Sequence, residues 1–331
     1  MTHRGYDEHD YERYERPGRR TRPRTKERPS YDDAVLALVV TIDRGRYTCL
    51  TGEDTTVIAV KSRSLGRTGV VVGDRVRLVG DVTGAEGTLA RIVEVDERRT
   101  VLRRTADDDD PYERVVVANA DQLVIVSSLA DPPPRTGLID RALTAAYDAD
   151  IVPLLCLTKA DLAEPDDLLA VYRPLGVEHV VTRLGGDLQP LRERLRDRMS
   201  VLLGHSGVGK STLVNALVPG TERSTGDVNV VTGRGRHTST SVYAVELPFG
   251  GWAIDTPGIR SFGLGHVDPD HLIGTFADLA QYTEDCPRGC THGGDEPECA
   301  LDDAVAAGRA DRLRLESFRR LLAIRTSAVP Y

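Results

Sequence analysis

Five short runs of residues carry groups that can do chemistry. The strongest is Gly204, His205, Ser206, Gly207, Val208, Gly209, Lys210 and Ser211. These fit G-x-x-x-x-G-K-[ST] between the apolar run Val201 to Leu203 and the helical pattern KSTLVNAL. A glycine-rich loop in that context turns its backbone N–H groups toward phosphate oxygens, and the following helix adds positive potential at its N-terminus. Lys210 then reaches the terminal phosphates, Ser211 can ligate Mg²⁺, and Thr212 completes the nucleotide contacts.

The run Trp252-Ala-Ile-Asp255-Thr-Pro-Gly258 puts a carboxylate at the end of a second apolar strand. Asp255 is expected to hold Mg²⁺ directly or through water, and the Gly258 N–H to sense the γ-phosphate. Between these runs lies Gly233-Arg-Gly-Arg-His-Thr-Ser-Thr240, a basic, hydroxyl-rich stretch suited to a loop ordered by phosphate and Mg²⁺. Thr238 is the first choice for the metal-contacting hydroxyl and Thr240 the second. Base choice falls to Thr158, Lys159, Ala160 and Asp161, after the apolar run IVPLLCL. A carboxylate at Asp161 accepts from guanine N1–H and its exocyclic amine, a donor pair that adenine lacks. The Lys159 stem can cover the base plane.

The fifth run is Cys286-x₃-Cys290-x-His292-x₆-Cys299, three thiols and an imidazole within fourteen residues. Four such ligands make a closed tetrahedral zinc site, structural rather than catalytic, because no position is left for water. Cys49 and Cys156 sit in apolar runs and read as inert core thiols.

These residues must be positioned by a chain of 331 residues, a length that suggests two or three domains. Its 40% hydrophobic content suffices for packed cores, and 43 basic against 51 acidic residues leave a net charge of −8, which argues against broad affinity for polyanions. No segment approaches about 18 uninterrupted apolar residues, so no membrane is expected. The run MTHRGYDEHDYERYERPGRR has no apolar core for a secretory signal, and a cytoplasmic protein is expected.

Residues 1–33 read as a disordered basic tail, with eight basic against two acidic side chains from Arg13 to Arg28. Residues 34–103 carry five short β-rich runs separated by Gly and Asp turns, the pattern of an OB-like β-barrel. Its loop Lys61, Arg63, Arg67 is basic. The stretch Arg103 to Arg114, with four consecutive aspartates, reads as a linker rather than a metal site. Six apolar runs then alternate with helical patterns over 104–266, which argues for a mostly parallel α/β sheet. The helical patterns are 138–149, 166–175, 189–199 and 210–218. Residues 267–331 hold the cysteine cluster and end in a helical pattern around Leu313, Phe318, Leu321 and Leu322. Arg312, Arg314, Arg319 and Arg320 there form a candidate basic patch.

Order carries further information. An ordinary GTPase has its phosphate loop first and its base-reading motif late, whereas here Asp161 precedes Lys210, so the P-loop GTPase domain is read as circularly permuted. With TKAD, GHSGVGKST, GRGRHTST and DTPG in this order, the sequence resembles the RsgA (YjeQ/EngC) family of circularly permuted GTPases over about residues 34–325. The resemblance implies a multidomain α/β protein: an OB-like barrel, the permuted GTPase domain and a C-terminal zinc-binding helical domain. It implies GTP and GDP as ligands, Mg²⁺ with the nucleotide, and the small ribosomal subunit and its rRNA as partners in late maturation. It also implies docking of the GTP form and release after hydrolysis. A monomer is expected, since such a factor docks on one asymmetric particle.

In hydrolysis, Lys210, Ser211, Thr238, Asp255 and Mg²⁺ would stabilise developing charge. The residue after DTPG is Ile259, where many GTPases carry a water-orienting glutamine. By resemblance His237 leads for that task and His205 follows. The family's usual first cysteine spacing has one residue more than here, and Thr182-Arg183 stands where a Ser-Ala contact to guanine O6 would be expected. Two other readings are a P-loop GTPase with a non-ribosomal signalling role and a passive RNA-binding scaffold.

Overall fold

The computed structural model describes residues 31, 33–66, 69–104, 114–219, 242–256, 264 and 269–324. The basic tail, Arg67, the aspartate run, Gly258, Ile259 and the stretch holding His237, Thr238 and Thr240 lie outside the described residues.

Runs rich in β-branched residues form β1 (Val35–Asp43), β2 (Arg46–Thr51), β3 (Thr56–Lys61), β4 (Arg75–Gly80) and β5 (Ala90–Val95). They pair in the order β1-β2-β3-β5-β4, and β4 returns antiparallel to β1. This closes the expected barrel and satisfies the backbone groups that an open edge would expose. Val39, Cys49, Val57, Val76, Leu78 and Ile92 fill its interior.

The ends of the stretch read as a linker are strands instead. β6 (Val101–Arg104) and β7 (Arg114–Ala118) pair antiparallel, because VLRR and RVVVA bury Leu102 and Val117 on opposite sides of the aspartates. Their hairpin is sewn to the barrel by Ala118 N–H to the Val72 carbonyl (3.0 Å) and Asn119 Nδ2 to the Gly73 carbonyl (2.9 Å). Gly73 has φ +89°, and a Cβ there would lie 2.0 Å from the Ala118 carbonyl oxygen, so only glycine fits this approach. Beside it Asp74, fully buried, accepts from Arg98 Nε (2.7 Å), Arg98 Nη2 (2.8 Å) and Val71 N–H (2.8 Å).

All six later apolar runs form strands: β8 (Gln122–Ser128), β9 (Val152–Thr158), β10 (Glu178–Val181), β11 (Met199–Leu203), β12 (Tyr243–Glu246) and β13 (Trp252–Asp255). Their order is β10-β9-β8-β11-β13-β12, parallel throughout except for β12 against β13. One face packs against α1 (Thr136–Asp148) and α2 (Asp166–Tyr172), the other against α3 (Gln189–Leu195) and α4 (Lys210–Leu217). Helix α3 stops short of the expected Met199, because Arg196 turns to ψ 130° and Met199 opens β11. Thr41 of β1 pairs with Tyr243 of β12, so barrel and parallel sheet are continuous.

The C-terminal part contains α5 (Pro269–Gly274), α6 (Ala277–Ala280), α7 (Ala300–Ala306) and α8 (Arg312–Ile324). Phe276 packs edge-on against both Phe318 (5.3 Å) and Tyr147 of α1 (5.5 Å). The inward residues of α8 are Leu315, Phe318 and Leu321, whereas Leu313 is 59% exposed. The expected terminal basic patch is corrected too, since each arginine has an acidic partner. Arg314 pairs with Asp278 (2.9 Å), Arg319 with Asp302 (2.7 Å), Arg320 with Asp140 (3.2 Å) and Arg312 with Glu316 (2.9 Å). Among the described residues no helix is long and apolar enough to cross a membrane.

Candidate nucleotide and metal sites

The phosphate loop leaves β11 pressed against β8: a Cβ on Gly204 would lie 2.5 Å from the Val126 carbonyl oxygen. Val208 turns into the core, Ser206 and Gly207 face outward, and Ser211 and Thr212 are exposed on the first turn of α4. Lys210 Nζ lies 2.7 Å from Asp255 Oδ1 and 3.4 Å from the Thr256 carbonyl oxygen. Asp255 Oδ2 accepts from the Tyr243 hydroxyl at 2.6 Å. The neighbouring strands β11 and β13 therefore bring the lysine and the acid together. Tyr243 was not foreseen; the opposing register of β12 and β13, Tyr243 against Asp255, brings it there.

His205 points inward rather than to solvent. It is 9% exposed, with Nδ1 2.9 Å from the Ser206 carbonyl oxygen, and its buried Nε2 has no hydrogen-bond partner among the described residues. Burial holds its pKa below the ordinary imidazole value, with Arg135 adding to the shift against the Ser206 bond, so the ring is neutral at pH 7.

Thr158, at the end of β9, ties the run Thr158 to Asp161 to the phosphate loop: its hydroxyl donates to the Val208 carbonyl at 2.6 Å. Ala160 N–H donates to the Thr182 carbonyl (3.1 Å), and Thr182 N–H to the Leu157 carbonyl (2.7 Å), so the Thr182-Arg183 turn lies beside the run. Lys159 has a left-handed backbone, φ 61°, and its ammonium donates to the Asp131 carbonyl. Asp161 is exposed at the rim.

The ligand atoms of Cys286, Cys290, His292 and Cys299 all lie within 4.8 Å of one another. His292 Nδ1 is 3.6, 3.5 and 4.0 Å from the sulfurs of Cys286, Cys290 and Cys299. A tetrahedral zinc with ordinary Zn–S and Zn–N bonds requires S···N separations of about 3.6 Å, so the donor set fits. Burial pushes the Cys286 thiol up and that of Cys290 to about 11, and a divalent cation supplies the charge that makes thiolates favourable. The short Cys286–Cys290 spacing is accommodated by a turn from Cys290 N–H to the Pro287 carbonyl (3.1 Å). Arg319, also unforeseen, donates from Nε to the His292 carbonyl (3.1 Å) while holding Asp302, and so ties the cluster to α8. Cys49 and Cys156 are fully buried, as expected, with thiols pushed up to about 12 by burial.

A phosphate loop after the central strand, an acid on the next strand, and a base-reading run earlier in the chain define a circularly permuted P-loop GTPase, here between a barrel and a Cys₃His element. The sequence model of the RsgA GTPase family matches residues 95–265, and the chain belongs to that family. The small ribosomal subunit biogenesis GTPase RsgA of Chlorobaculum parvum is 39% identical over 277 residues, covering 81% of this chain and 89% of its own length. The crystal structure of YjeQ from Thermotoga maritima is 26% identical with a TM-score of 0.66, over 89% of this chain and all of that one. YloQ, described as a circularly permuted GTPase, is 25% identical with a TM-score of 0.63, over 92% of this chain and 99% of its own.

Proposed function

We propose that this GTPase serves small ribosomal subunit biogenesis, docking on the particle and its rRNA in the GTP form and leaving after hydrolysis. The observation that carries the enzymatic part is the Lys210–Asp255 pair, two opposite charges 2.7 Å apart where the phosphate loop meets the neighbouring strand. Phosphate draws Lys210 and a divalent cation draws Asp255, so nucleotide with its metal can replace that contact by a complementary one on each side. The partner is inferred from the C. parvum relative, whose name carries that role.

In this reading residues 34–103 form the docking barrel, 104–266 the GTPase domain and 267–331 the zinc-binding domain. The protein works as a monomer in the cytoplasm, and the tail 1–33 and the Lys61–Arg67 loop are its basic contacts. Asp161 selects guanine. Backbone N–H groups of Gly204 to Thr212 hold the phosphates, and Lys210 bridges the terminal ones. Ser211, Thr238 and Asp255 would hold Mg²⁺, which would supply positive charge at the phosphate oxygens. Water attacks the γ-phosphorus, the bond to the β-γ bridging oxygen breaks, and Lys210 balances charge on the departing GDP. His237 orients the water, with the Gly258 N–H on the γ-phosphate. His205, whose ring is turned inward at 9% exposure, stays second to His237. The zinc site holds the C-terminal loop in shape.

Hydrolysis by the full chain with and without isolated small subunits, beside an ATP control, tests this reading. Strong activation confined to GTP is expected. Turnover indifferent to the subunit would favour a non-ribosomal role, to which the internally paired arginines of α8 lend weight. Equal use of ATP would overturn the reading of Asp161.

A further inference from the structure

The Tyr243–Asp255 contact points beyond the residues that touch nucleotide. Both side chains are buried, at 7% and 5% exposure, on neighbouring antiparallel strands with the two residues directly opposite. Directly opposed side chains on one face of such a pair lie within reach of each other. The 2.6 Å bond from the tyrosine hydroxyl to Oδ2 has the length of a charge-assisted O–H···O⁻ contact.

The two oxygens of Asp255 thus have different partners. Oδ1 faces Lys210 at 2.7 Å, a contact that exchanges when the lysine engages phosphate. Oδ2 is held from β12, a strand that carries no part of the phosphate loop, so its bond does not depend on the nucleotide. An aspartate carboxylate has only two side-chain torsions. Fixing Oδ2 fixes both, and leaves Oδ1 aimed past the end of β11 toward the loop. We propose that Tyr243 is a positioning residue of the GTPase reaction: its hydroxyl holds the Asp255 carboxylate so that Oδ1 is presented to the nucleotide's Mg²⁺. This rests on the reading of Asp255 as a holder of that cation. Partners of metal-holding groups at this remove typically account for about 10- to 100-fold in metal affinity or activity.

The experiment is GTP hydrolysis by the full chain as a function of free Mg²⁺, for wild type, Tyr243→Phe and Asp255→Asn, with GDP affinity measured in EDTA alongside. Phenylalanine keeps the ring and removes only the hydroxyl. Tyr243→Phe is expected to raise the Mg²⁺ midpoint about tenfold or more, with affinity for GDP in EDTA unchanged. Asp255→Asn should raise the midpoint at least as far. If Asp255→Asn leaves it in place, the assignment of Asp255 fails and the proposal with it. If Asp255→Asn shifts the midpoint and Tyr243→Phe does not, the proposal alone is overturned. A Tyr243→Phe protein that loses GDP affinity equally in EDTA would show a general structural role, and would overturn it as well.

Discussion

Replacing Thr158 by valine removes one hydroxyl and keeps the side chain's shape. That hydroxyl, on a residue 6% exposed, donates to the Val208 carbonyl at 2.6 Å, with a weaker approach to the Ser127 carbonyl at 3.4 Å. Val208 is itself fully buried, so water has no ready access to its carbonyl once the donor is gone. The bond does more than join two loops. In a planar trans peptide the C=O and the following N–H point in opposite directions, so holding the Val208 carbonyl inward turns the Gly209 N–H outward, toward the phosphate side of the loop. Without the hydroxyl that peptide can rotate, and one donor of the phosphate cradle loses its aim. A neutral hydrogen bond contributes about 1 kcal/mol net, and an orphaned buried acceptor costs about 1–3 kcal/mol. If about 1–2 kcal/mol of this falls on the bound state, GDP affinity drops about 5- to 30-fold. Fluorescence titration with a labelled GDP measures it, and Thr158→Ser, which keeps the donor, should recover most of the loss. A Thr158→Val protein that binds GDP within twofold of wild type would refute the argument.

Other consequences can be checked directly. Arg98→Met leaves the fully buried Asp74 with only the Val71 N–H, and breaking a buried pair from one side costs about 3–5 kcal/mol. The melting temperature should fall by about 6 °C or more, and a fall under about 2 °C in calorimetry would count against that role. Burial raises the thiols of Cys49 and Cys156 to about 12. The thiolate form therefore increases with pH but is only about one in ten thousand at pH 8. Alkylation of the native protein at pH 8, read by peptide mass spectrometry, should leave both untouched; a chelator should open Cys286, Cys290 and Cys299 to reagent and release about one zinc per chain.

What the sequence made legible was local or nearly so. Apolar runs between Gly and Asp turns located all eleven strands of the continuous sheet, because a strand buried on one or both faces must be written as such a run. Lys210 and Asp255 meet because β11 feeds the phosphate loop, β13 ends in the acid, and the two strands become neighbours. The misses share a cause, which is pairing that no single run of residues announces. VLRR and RVVVA are too short to announce a hairpin beside four aspartates, and only their mutual pairing makes them β6 and β7. The arginines of α8 looked like an unpaired patch because their partners, Asp140 and Asp278 among them, lie as far as 180 residues away. Tyr243 sits in a run that reads only as strand, and nothing short of the β12–β13 register reveals what its hydroxyl meets.

Permutation gives these pairings a common consequence. In the sheet, the strand that ends in Asp255 lies between β11, which feeds the phosphate loop, and β12, which is the strand bound to the barrel. Along the chain, the same strand leads into the C-terminal part, whose far end is anchored back on the GTPase domain. Arg320 reaches Asp140 on α1, and Arg314 donates to the Pro174 carbonyl (2.9 Å). The cysteine cluster is tied to α8 through Arg319. The barrel meets the site through one register pair, Thr41 with Tyr243. Within the sheet the barrel therefore meets the GTPase domain at β12, beside the strand that carries Asp255. Tyr243 thus stands in the register between Thr41 of the barrel and Asp255.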